Sequence, residues 1–128
     1  MINLKKWMTK MSSGLNTVIS RTNRRQVSIP ADSSFSTTTF TAEIHRIGNF
    51  AILYMNILVP ALEAGKERTM FTIPSSYFNP VGQYNFTVTG QVNAVYLIQV
   101  HTDGSVSIYA PSATSQQFIR GTFVIPCS

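Results

Sequence analysis

The chain has 128 residues, of which 44% are apolar and only 12% charged, about half the usual charged share. That length fits one domain plus a short appendage, and so few charges argue against long solvated helices, which need far more Lys and Glu. The net charge of +5 is concentrated in the leader: Lys5, Lys6, Lys10, Arg21, Arg24 and Arg25 are six of the ten bases, and no acid precedes Asp32.

From Gln26 onward four bases (Arg46, Lys66, Arg68, Arg120) stand against five acids (Asp32, Glu43, Glu63, Glu67, Asp103), a net charge of −1. A nucleic-acid-binding head carries its bases on the folded surface, so nucleic acid is not an expected partner. The single cysteine, Cys127, rules out an intrachain disulfide and a cysteine-rich metal site, which suits folding in a reducing cytoplasm. The first 20 residues lack the continuous apolar core of a signal peptide. The longest apolar run, Phe50 to Pro60, is broken by Asn56 and is too short to cross a bilayer.

Residues 1–25 read as a basic amphipathic helix for trimerisation or attachment. Leu4, Met8, Met11, Leu15 and Val18 are spaced 4, 3, 4 and 3, a heptad seam broadened by Trp7, Ile2 and Ile19. Lys5, Lys6 and Lys10 lie off the seam, and Gly14 costs about 1 kcal/mol relative to Ala. A helix this short is marginal alone in water and needs a partner. That partner is the helix's own head, other copies of the helix, another protein, or an anionic membrane surface. The period of about 3.5 residues favours self-association, the Met-rich seam also suits docking onto a different protein, and the membrane is the weakest reading.

Residues 26–37, with Pro30, Asp32 and a serine run, read as a linker to a head spanning 38–128. Strand signals then recur about every 8 to 12 residues, the spacing of a sandwich or barrel. Phe40, Ala42 and Ile44 alternate with Thr41 and Glu43; Gly48-Asn49 is a turn; Phe50 to Val59 is apolar on both faces. Thr69 to Ile73, Tyr84 to Thr89 and Val92 to Val100 follow. Thr102-Asp103-Gly104-Ser105 then makes the clearest hairpin, because Asp-Gly tolerates positive φ. Val106 to Ala110 and Phe118 to Ile125 complete seven or eight strands. The fold class is all-β: an antiparallel, jelly-roll-like sandwich preceded by a short helix. Strands apolar on both faces point to a second buried surface, such as an oligomer interface.

Chemistry is sparse. Five acids, two histidines and one cysteine offer no metal cluster and no cofactor motif. His101 with Asp103 is the nearest approach to a catalytic pair, but nucleophile, base and stabiliser do not converge, so the expectation is a binding or structural module and not an enzyme. Tyr77, His101 and Asp103 are the candidate contacts for a polar surface ligand, an aromatic face beside fixed polar groups. The competing reading makes Asp103 a pure turn residue and Tyr77 a loop anchor.

The segment Thr72-Ile73-Pro74-Ser75-Ser76-Tyr77-Phe78-Asn79-Pro80, the strand Val95 to Val100, the turn Thr102-Asp103-Gly104-Ser105-Val106 and the closing Gly121-Thr122-Phe123-Val124-Ile125 together resemble the small β-sandwich heads of bacteriophage tail-fibre and baseplate-appendage proteins. The likeness spans roughly residues 40 to 126 and departs from the pattern at Ile73, where those heads have leucine, and by one extra residue before Pro80. It implies a homotrimeric virion component, joined to other virion proteins through the helix and adhering to a host cell-surface glycan. A capsid decoration or head-fibre protein without a ligand is the alternative. No residue carries over as a binding residue.

Overall fold

The computed structural model describes residues 26–75 and 78–128. The leader with its seam (Leu4, Trp7, Met8, Met11, Leu15, Val18) and Tyr77 lie outside the described residues. Eight strands follow in order: β1 (Gln26–Ser28), β2 (Phe40–Ile47), β3 (Phe50–Val59), β4 (Glu67–Thr72), β5 (Tyr84–Thr89), β6 (Val95–Val100), β7 (Ser105–Tyr109) and β8 (Gln117–Pro126). They form two four-stranded antiparallel sheets, ordered β1-β2-β3-β8 and β4-β7-β6-β5. This is the expected all-β sandwich, with no helix among the described residues.

The core follows from alternation, since every second side chain of a strand faces the same way. Ala51, Leu53, Met55, Ile57 and Val59 of β3 point inward and are buried, as are Tyr96, Ile98 and Val100 of β6 and Val106 and Ile108 of β7. In β4 the register slips between Thr69 and Phe71, a bulge that lets the consecutive Met70 and Phe71 both enter the core.

Two boundaries differ from the sequence reading. The stretch 26–37 is part of the head: β1 pairs with β2, Ile29 and Phe35 are buried, the Ile29 N–H donates to the Ala42 carbonyl at 2.8 Å, and the Asp32 N–H donates to the Met70 carbonyl at 2.7 Å. The Phe35 ring meets Phe40 edge-on at 6.4 Å, and Phe40 meets Phe71 at 5.8 Å. Isolated apolar residues among serines carry no periodic signal, which is why this strap across both sheets read as a linker. The second difference is at β6, which begins at Val95 because Gly90 to Ala94 close a turn through the Gly90 N–H and the Ala94 carbonyl, 2.8 Å apart, with Asn93 at φ +48°.

The sandwich has two distinct ends. At one, Gln26 pairs with His45, the Cys127 N–H donates to the Asn49 carbonyl and the Ser128 N–H to the Asn79 carbonyl. Both ends of the described chain therefore lie at this terminal end, which also holds the β2–β3, β4–β5 and β6–β7 connections. The opposite, loop end carries the β3–β4, β5–β6 and β7–β8 connections, tied by a bridge between Leu62 and Thr114.

At the terminal end the hairpin 102–104 depends on Gly104, at φ +89°. Its backbone presses on Ile73: the Ile73 N–H donates to the Gly104 carbonyl at 2.9 Å, and a Cβ on Gly104 would stand 2.8 Å from the Ile73 carbonyl oxygen. Gly104→Ala meets both the left-handed penalty and this collision, and is expected to destabilise the head by at least about 1–2 kcal/mol. Urea denaturation checks this, and an unchanged midpoint would remove the close approach as a constraint.

Candidate functional site

Alternation also builds a polar outer face on the second sheet. Ser105, Ser107 and Tyr109 of β7 point outward, between Glu67 and Thr69 of β4 on one side and Leu97 and Gln99 of β6 on the other. Here the Ser107 hydroxyl donates to Glu67 Oε1 at 2.5 Å, while His101 Nε2 lies 2.9 Å from the same oxygen and 3.1 Å from Ser107 Oγ. The residue types are those of a hydrolytic triad, but the geometry is not. A triad needs serine and acid on opposite ring nitrogens; here both meet Nε2, and the serine proton is already committed to the carboxylate. The cluster is a fixed polar patch.

His101 therefore pairs with Glu67 and not with Asp103. One Asp103 carboxylate oxygen accepts the Ser105 N–H at 2.9 Å and the Ser105 hydroxyl at 2.7 Å, which closes the hairpin on itself and holds the carboxyl below its ordinary value. Glu67 and Ser107 escaped the sequence reading. Ser107 could have been found, because alternation puts it on the same face as His101; Glu67 could not, because the pairing of β4 with β7 has no local signal. His45 lies apart, on β2 of the other sheet.

Hydrogen bonds from Ser107 and then His101 hold the Glu67 carboxyl below its ordinary value of 4.5. A carboxyl lowered in the folded state stabilises the fold above its unfolded value, and that stabilisation is lost as pH falls through the lowered native one. Glu67→Gln is accordingly expected to lose stability near neutrality and to approach the parent protein as the medium becomes acid. Thermal melts of both proteins across pH 7 to pH 3 read the difference; a gap that stays constant with pH would remove Glu67 from the acid response.

The outer face of the first sheet is apolar near the terminal end and mixed farther along. Register aligns Ile47, Phe50 and Pro126 in one row, His45, Ile52 and Val124 in the next, and Glu43, Tyr54 and Thr122 in a third. Phe50 is 52% and Val124 58% exposed, with Ile47 and Tyr54 also open to solvent. Farther along, the Arg120 guanidinium lies 5.7 Å above the Phe118 ring and its Nε donates to Asn56 Oδ1 at 3.2 Å. Between the loops of the other end lies a cleft of about 400 Å³, edged by Asn93, Pro111, Ser112 and Ser115. A smaller one of about 310 Å³ runs past Glu63, Lys66, Glu67 and Arg68.

Among the described residues no group of three His, Cys, Asp or Glu could hold a metal ion, and no helix is long and apolar enough to cross a membrane. No protein-family model and no curated protein matches the sequence. A solved structure does: the receptor binding protein of Listeria phage PSA, with a TM-score of 0.60 over 97% of this chain and 80% of that one, at 10% identity. The two chains share a fold. The resemblance drawn from the turn and strand motifs is thus met by a phage receptor-binding protein, and at this identity the likeness is one of architecture and not of site residues.

Proposed function

We propose that the chain is a subunit of a phage virion appendage, a homotrimeric head that adheres to a glycan of the host surface. The observation that carries this reading is the shared fold, over nearly the whole chain, with a protein named for receptor binding. Two features support it. The outer face of β2, β3 and β8 exposes Ile47, Phe50, Tyr54 and Val124, a patch of the kind that oligomers cover, and the second sheet with its connections keeps polar groups outside that patch. Asp103 serves its turn and His101 its contacts with Glu67 and Ser107, so no ligand contact is assigned to either of them, or to Tyr77.

The trimer is expected to form through the apolar patch. Mass photometry should give about three times the 14.2 kDa of one chain, and Phe50→Glu with Val124→Glu should release folded monomers. A parent protein that is itself monomeric at micromolar concentration would sink the trimer.

Residues 1–25, with the seam from Leu4 to Val18 and the anchor Trp7, are proposed to join the head to other virion proteins. Particles assembled with a 1–25 deletion should lack the head, although the truncated head folds in solution. Normal incorporation refutes that role. Labelling of the full-length protein in electron micrographs separates tail adhesin from capsid decoration: few copies at the tail tip support the adhesin, and studding of the capsid supports decoration.

A further inference from the structure

We propose that the loop-end cleft, between the β5–β6 and β7–β8 connections, is the site that holds the host ligand, and that this ligand is an uncharged saccharide. The inference rests on the adhesion reading and adds to it a place and a chemical class.

Position comes first. Both ends of the described chain lie at the terminal end, with Gln26 beside His45 and Cys127 beside Asn49. The loop end is the end of the sandwich opposite to both. The hairpin with His101 and Asp103 sits at the terminal end. The cleft of about 400 Å³ sits at the loop end and falls in the size range of small-ligand sites.

The cleft is also built, not a chance gap between loops. Gln117, only 3% exposed, ties its two walls together: its Oε1 accepts the Val92 N–H at 3.1 Å, and its Nε2 donates to the Ser115 carbonyl at 3.3 Å. Gly90 leaves room for this side chain, because a Cβ there would fall 2.2 Å from Gln117 Oε1 and 3.0 Å from the Tyr96 ring. The far wall is pinned to the β3–β4 connection, where Thr114 N–H donates to the Leu62 carbonyl at 3.0 Å and the Leu62 N–H donates to Thr114 Oγ1 at 3.3 Å. Fixed walls spare a ligand the entropic cost of ordering them.

The chemistry of the lining selects the ligand. It contains no ionisable side chain. The Asn93 carboxamide and the Ser112 and Ser115 hydroxyls donate and accept, while Val92, Val95 and Pro111 present hydrocarbon, Val92 being 69% exposed. A phosphate or carboxylate entering here would shed water and gain no counter-charge. A sugar has what the lining matches, hydroxyls for the polar groups and C–H faces for the apolar ones. The neighbouring cleft with Glu63, Lys66, Glu67 and Arg68 has the opposite character. Since no aromatic ring lines the site, one copy should bind weakly, with a Kd on the order of millimolar, and several copies on one particle raise the avidity without new contacts.

The test uses the full chain, isotope-labelled, titrated in NMR with a panel of neutral mono- and disaccharides and, separately, with glycerol phosphate. Shifts should gather on residues 90–95 and 111–117 for at least one neutral sugar and be absent with glycerol phosphate. Ala113→Trp, an exposed position in the lining, should cut the affinity at least about tenfold with an unchanged melting temperature, and Ser112→Trp is the second variant should the first fail to fold. His101→Ala should bind as the parent does. Shifts at 101–105 that both tryptophan variants leave intact would overturn the cleft while leaving adhesion standing. Preference for glycerol phosphate, or no binding of any sugar in the panel, overturns the neutral saccharide. Failure of the adhesion reading has its own readout: phage particles lacking the protein would adsorb to host cells as well as the parent.

Discussion

Strand β3 sets the terms for the rest of the molecule. Its ten residues pair along their whole length with β8 and over eight positions with β2, and its five inward side chains are at most 1% exposed. Because strand side chains alternate with period two, burying Ala51, Leu53, Met55, Ile57 and Val59 forces Phe50, Ile52, Tyr54, Asn56 and Leu58 onto the opposite face. Nothing local can turn them in, since a shift by one residue would expose the core. The same pairing that closes the hydrophobic interior thus sets Phe50, Ile52 and Tyr54 on the exterior.

The second sheet solves the same constraint differently. Tyr96, Ile98, Val100, Val106 and Ile108 fill the interior, and the alternate positions carry Gln99, Ser105 and Ser107. The first sheet therefore exposes a hydrocarbon patch around Ile47, Phe50 and Val124, and the second carries a hydrogen-bonding patch around Ser105, Ser107 and Gln99. Glu67, His101 and Ser107 satisfy one another there, as polar groups at a half-covered surface must, and that mutual satisfaction is also what disqualifies them as reactive groups.

Much of this was legible in the sequence, and what was not has a physical reason. Phe50 to Val59 announced itself through ten residues with scarcely a polar break, and Asp103-Gly104 through turn chemistry that few other pairs permit. The strap from Ile29 to Phe35 was hidden because single apolar anchors between serines have no period. The polar cluster was hidden for another reason: Glu67 and His101 are 34 residues apart, and only the order β4-β7-β6 makes them neighbours. The role of Gln117 was equally silent, as a glutamine at the start of a strand reads as surface until Gly90 and Val92 are known to close over it. Local rules find strands and turns; they do not find which strand lies beside which.

The separation of the two ends bears on how such a head can change over time. A surface connection tolerates insertions at small cost, about 0.6 kcal/mol for each doubling of its length, provided that its anchors stay in place. At the loop end those anchors are few: Gly90, Gln117 and the Leu62–Thr114 bridge. The residues between them are exposed or half-exposed; of these Ala94 packs against the core, and Gln91 Oε1 accepts the Phe118 N–H at 3.2 Å. Variation can therefore accumulate at 92, 93, 111–113, 115 and 116 without disturbing the paired strands or the opposite end of the sandwich, so the architecture can persist while the outline and chemistry of its loop end are rewritten.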